Sequence, residues 1–90
     1  AMAQIVEIPP REEVPLHYHK RMTELFYILE GRGSMTISGK EMLLEPGDAI
    51  TCEPGELHSA RNLGEVTFRF VAFKTNWSEN DSFWDIPQGQ

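Results

Sequence analysis

The chain has 90 residues, too few to hold two hydrophobic cores, so it reads as a single domain over residues 1–90. Its formal charge of -6, from 14 acidic and 8 basic side chains, argues against nucleic acid as a partner, because such binding is driven by Lys and Arg displacing counterions. The single cysteine, Cys52, excludes an intrachain disulfide, and a domain of this size must then draw support from a metal, a partner subunit or a well-closed fold. Apolar runs fall far short of the roughly 20 residues that cross a bilayer, so no membrane segment is expected. Residues 1–10 lack the basic start and apolar core of a signal peptide, and with the lone free thiol this makes a cytoplasmic location the expectation.

Turn formers punctuate the chain at Pro9-Pro10, Pro15, Gly31, Gly33, Gly39, Pro46-Gly47, Pro54-Gly55 and Gly64. Their spacing, roughly 8 to 12 residues, predicts short antiparallel strands in an all-β sandwich or barrel. Thr23–Leu29 is rich in aromatic and β-branched residues and reads as a strand. Glu30-Gly31-Arg32-Gly33 then reads as a hairpin turn, and Met35–Ser38 and Met42–Leu44 flank a hairpin tip at Gly39-Lys40. Pro46-Gly47-Asp48 is a further turn, with Asp48 as its hydrogen-bond acceptor. Val66–Thr75 is largely apolar on both parities, which predicts a strand covered on both faces. No window carries helical periodicity, so little or no helix is expected. Residues 76–90 contain Trp77, Phe83 and Trp84, which are expected to cap an open barrel end or to form a subunit interface.

The three histidines carry the chemistry. His17 and His19 are two residues apart, so in an extended chain their rings project to the same side. Glu24 heads the next strand, where a hairpin would return it beside the histidines, and His58 follows the Pro54-Gly55 turn. Three imidazoles and one carboxylate suit a divalent transition metal (Mn, Fe, Co, Ni, Cu or Zn) over Ca or Mg, and leave open positions for water or substrate.

Here the chain resembles the cupin family. Arg11, five residues, His17-Tyr18-His19, four residues, Glu24, six residues, Gly31 follows the family's first motif, G-x5-H-x-H-x3,4-E-x6-G. Gly47, five residues, Glu53, one residue, Gly55, two residues, His58, three residues, Asn62 follows the second, G-x5-P-x-G-x2-H-x3-N. Arg11 replaces the opening glycine and Glu53 the proline, and neither falls on a ligand position. The resemblance spans residues 11–62 and implies a small jelly-roll β-barrel with His17, His19, Glu24 and His58 holding one metal ion per chain inside it. The small single-domain members it resembles are commonly homodimers, which would supply the support that the length demands.

Around the site, Phe26 and Ile28 share the parity of Glu24 and are expected to line a greasy pocket. Cys52 is a further candidate for substrate contact, with a buried, inert thiol as the alternative. Arg69 would anchor a carboxylate if it faced inward and would form a surface salt bridge if it faced outward. Asn62 is expected to bond backbone near Gly64. With neutral imidazoles the metal centre carries about one positive charge, a setting for small anionic ligands and, with a redox metal, for dioxygenase-like chemistry. The alternatives are a cupin isomerase or decarboxylase, a non-catalytic module that binds a metal and a small ligand, and an ion that serves stability alone.

Overall fold

The computed structural model describes residues 1–84, which form nine strands and no helix. In chain order these are β1 (Met2–Ile8), β2 (Glu13–Tyr18), β3 (Thr23–Glu30), β4 (Gly33–Ile37), β5 (Lys40–Leu44), β6 (Ala49–Cys52), β7 (His58–Asn62), β8 (Phe68–Thr75) and β9 (Phe83–Trp84). All pairs are antiparallel, and the strands form two sheets, β1-β8-β3-β6 and β5-β4-β7-β2-β9. The all-β expectation therefore holds. The two sheets face each other across the interior without joining into one closed ring of strands, so the barrel is a jelly-roll sandwich. No helix among the described residues is long and apolar enough to cross a membrane.

Side-chain alternation builds the core. In β3, Glu24, Phe26 and Ile28 are buried while Leu25, Tyr27 and Leu29 face out, as the period-2 geometry of a strand requires. In β8 the buried set is Phe68, Phe70 and Ala72. Phe68 is wholly enclosed, and it packs so close to Gly33 that a Cβ there would strike its ring and lie 2.7 Å from the Arg61 carbonyl oxygen.

Three local expectations need correction. The strand expected from Val66 begins at Phe68, and only its inner face is covered: Phe73 on the other parity is 47% exposed. Apolar residues on both parities predict burial on both sides, but among the described residues nothing packs over Phe73 on the outer face of this sheet. The Glu30–Gly33 segment is not a hairpin, because β3 and β4 lie in different sheets and the chain crosses between them with Gly31 at φ 79°. The β4–β5 hairpin forms one residue earlier than expected: Ile37 pairs with Lys40, and Ser38 and Gly39, at φ 51° and 80°, are the two loop residues with the positive φ that a type I′ turn requires.

Where the cupin motif has glycine, Arg11 adopts a glycine-like backbone with φ 68°. Asn62 behaves as expected and ties three segments together. Its Nδ2 donates to the carbonyls of Ile8 (2.9 Å) and Val66 (2.8 Å), and its Oδ1 accepts from the Gly64 N–H (2.8 Å). Asp48 accepts the Glu45 N–H at 2.9 Å, as a turn residue should.

Candidate metal centre

His17 lies near the end of β2, His19 just beyond it, His58 at the start of β7 and Glu24 near the start of β3. β2 and β7 are neighbours in one sheet, and His17 pairs directly with His58. Glu24 comes from the opposite sheet, so the connection between β2 and β3 is a crossover and not the expected hairpin. The carboxylate reaches the histidines across the interior, which is why the cluster is enclosed. One ligand atom from each of His17, His19, Glu24 and His58 lies within 4.8 Å of the others, a group that could hold a metal ion.

The tautomers are set from behind. Each imidazole places Nδ1 against a backbone carbonyl: His17 on Pro15 at 2.8 Å, His19 on Asp81 at 2.6 Å and His58 on Glu56 at 3.0 Å. A carbonyl can only accept, so each Nδ1 carries a proton, and each ring, when neutral, turns the Nε2 lone pair inward. The inward atoms converge on Glu24, whose Oε1 is 2.9 Å from His19 Nε2 and 3.2 Å from His58 Nε2. These three atoms are buried and otherwise unpartnered, a costly state that a bound cation relieves. The donor set thus fits a divalent transition metal.

Electrostatics separate the three rings. Burial lowers the His17 pKa to about 4, helped by the neighbouring His58 and His19. At His19 burial acts in the same direction, but Glu24 and the Asp81 carbonyl, which both accept from the doubly protonated ring, prevail and raise it. Burial would raise Glu24, yet the imidazoles of His19 and His58, which donate from Nε2 when protonated, outweigh it and hold the carboxyl at about 2. Glu24 is therefore ionised and ready to serve as a ligand at any physiological pH.

A cavity of about 270 Å³ opens onto the cluster. Its apolar wall includes Val6, Phe26, Met35 and Phe70, and its polar rim includes Gln4, Lys74 and Ser82. Of the four substrate-contact candidates, Phe26 lines this cavity. Ile28 is 1% exposed and sits deeper in the core, away from the lining. Cys52 packs behind the His58 ring with Sγ 3.3 Å from Nδ1, outside the lining, and burial with the nearby charges of Glu24, Glu56 and Glu53 pushes its thiol up to about 12. Arg69 is on the opposite parity from Phe68 and Phe70, faces outward and pairs with Glu7 at 3.5 Å. A carboxylate anchor at Arg69 is thereby overturned.

Two residues at the site are absent from the candidates that the sequence offers. Lys74 shares the inward parity of Phe70 and Ala72, so the alternation already visible in β8 pointed to it and away from Arg69. Asp81 had no such signal. It is buried, its carboxylate accepts the N–H groups of Lys20, Arg21 and Met22 at 2.9, 3.1 and 3.2 Å, and its carbonyl fixes His19. The short β9 then lies along β2 with Trp84 tilted over His17, ring centroids 4.5 Å apart, and Phe83 stacked on Tyr18. Phe83 and Trp84 thus pack along β2 of their own chain. Trp77 remains 43% exposed, and residues 85–90 of that segment lie outside the described residues.

A protein-family model described as "Cupin domain" matches residues 4–74. The chain belongs to the cupin family. This cupin is 36% identical over 67 residues to an oxalate-binding protein of Thermotoga maritima, covering 74% of this chain and 55% of that protein. It is 34% identical over 85 residues to a 5-nitrosalicylic acid 1,2-dioxygenase of a Bradyrhizobium species, covering 91% of this chain and 41% of that one. The crystal structure of a predicted oxalate decarboxylase from Thermotoga maritima superposes with a TM-score of 0.77 at 33% identity, covering 81% of this chain and 64% of the other. The chain spans about half the length of the curated relatives it matches.

Proposed function

We propose that this cupin uses one divalent transition metal, held by His17, His19, Glu24 and His58, to bind a small organic anion and act on it by dioxygenase-like oxidative chemistry. The observation that carries the metal is the convergence of His19 Nε2, His58 Nε2 and Glu24 Oε1, buried without other partners, in front of three rings whose Nδ1 atoms are all committed to carbonyls. A bound divalent ion supplies Lewis acidity and, if it is Fe, Mn or Cu, redox chemistry with O2. The protein's own part is to keep the imidazoles neutral and oriented, to hold Glu24 ionised, and to exclude water with Phe26, Met35 and Phe70. Similarity to a nitrosalicylate dioxygenase supports the oxidative reading.

Similarity to an oxalate-binding protein favours a second reading, in which the centre binds a small carboxylate without turning it over. Oxygen uptake separates the two. Protein loaded with Fe(II) or Mn(II) and supplied with salicylates, catechols or oxalate should consume O2 with at least one of them, and H58A should abolish the uptake. Tight binding by calorimetry with no uptake for any metal would leave the non-catalytic reading.

The location we propose is the cytoplasm and the assembly a homodimer. The exposed outer face of the β1-β8-β3-β6 sheet, with Ile5 and Phe73 each 47% exposed and Tyr27 43%, supports the latter. Light scattering on the purified protein tests it, and a mass of one chain at micromolar concentration would refute it.

A further inference from the structure

Lys74 stands opposite Glu24 in the β8–β3 register, so the two side chains leave neighbouring positions on one face, about 5 Å apart at Cβ. They nevertheless do not pair. The Lys74 ammonium donates instead to Gln4 Oε1 at 2.8 Å, on the next strand over, and among the described residues it forms no ion pair. Glu24 Oε1 lies instead against His19 Nε2 and His58 Nε2, at 2.9 and 3.2 Å, so its charge faces the metal position. Both Lys74 and Gln4 line the cavity that the metal cluster occupies.

We propose that Lys74 is the anion anchor of this cavity, and that the ligand class is a small dicarboxylate or an equivalent two-ended anion. One end meets the metal centre; the other displaces Gln4 and takes a charge-assisted bond from Lys74. The exchange is favourable because a neutral amide acceptor gives way to a carboxylate, which binds an ammonium more strongly. The direct opposition of Lys74 and Glu24 limits the ligand to a short span, and Ala72, Phe70 and Val6 continue the same face deeper into the cavity as its apolar wall. The charge pattern agrees: a divalent ion with neutral histidines and one carboxylate leaves a net positive centre, and Lys74 adds another positive charge on the same wall. The proposal rests on the metal reading of the four-residue cluster.

The test is calorimetry on the K74M variant, which keeps the aliphatic stem and removes the charge, with Mn(II), oxalate and acetate as probes. Mn(II) affinity and thermal midpoint should match the wild type, which establishes that the variant is folded with an intact centre. Oxalate binding to the Mn(II)-loaded protein should weaken by about 10- to 100-fold, and K74R should recover most of the loss. Acetate, with a single carboxylate for the metal, should be unaffected. If K74M binds Mn(II) and holds oxalate as tightly as the wild type, the anchor is refuted while the metal reading survives. If the wild type fails to bind Mn(II), the metal reading falls and takes this proposal with it.

Discussion

Replacing Glu24 by glutamine probes the centre with the least disturbance of shape, since the amide of E24Q can still hydrogen-bond the two imidazoles that now meet Oε1 at 2.9 and 3.2 Å. What it removes is the anionic ligand. Four-ligand metal sites of the structural zinc type bind with about 10 to 16 kcal/mol, so one of four ligands is worth roughly 2.5 to 4 kcal/mol, or about 10² to 10³ in affinity. A ligand at 100 times its Kd stabilises the native state by about 2.7 kcal/mol, and in a domain of this size each kcal/mol moves Tm by about 4 to 8 °C. Wild-type protein at that metal concentration should therefore gain about 10 to 20 °C over the metal-free form. At the same concentration E24Q would sit at or below its Kd and gain less than about 0.5 kcal/mol, or roughly 3 °C. Differential scanning calorimetry of both proteins, with and without Mn(II) or Zn(II), reads this directly. An E24Q shift equal to the wild-type shift would place the ion elsewhere and refute the four-ligand centre.

Three further outcomes follow from particular contacts. D81A leaves all four ligands in place but frees the turn at Lys20–Met22 and the carbonyl that orients His19, so metal affinity should fall about 10- to 100-fold by competition with a fluorescent chelator; an unchanged affinity would make Asp81 a purely structural clamp. In the metal-free protein, nitrogen-15 NMR should find His17 titrating near pH 4 and His19 above 6.5. Between pH 6.5 and 4 the unfolded chain binds more protons than the native state at His17, so that residue makes stability fall with falling pH, while His19 contributes stability below pH 6.5 that is lost as pH rises through its raised value. R11G should raise stability by about 0.5 to 1 kcal/mol in urea titrations, because a left-handed residue costs about 1 to 2 kcal/mol and the added freedom of glycine in the unfolded chain offsets part of the gain.

The candidate ligands were legible in the sequence because their signal is local. Two histidines at i and i+2, a carboxylate five residues further on and a third histidine behind Pro54-Gly55 match a family spacing, and the alternation in β3 and β8 divides inward from outward residues. Lys74 was legible by the same alternation, which also turns Arg69 outward, to the surface salt bridge that was one of its two options.

Other features are long-range and have no local trace. That Glu24 comes from the sheet opposite His17 and His58 depends on β2 and β3 parting company, and strand pairing partners are chosen by how the whole core closes. That Asp81 holds the His19 loop depends on two segments 62 residues apart being brought together. Nor could composition separate a sheet face covered by its own chain from one left exposed, since Phe70 and Phe73 are the same residue type on opposite parities. The 90 residues with one cysteine posed the need for support outside disulfides, and their spacing named four residues that could hold a metal ion. Only the packing of two sheets decided that those residues meet in an enclosed space, with a lysine beside them.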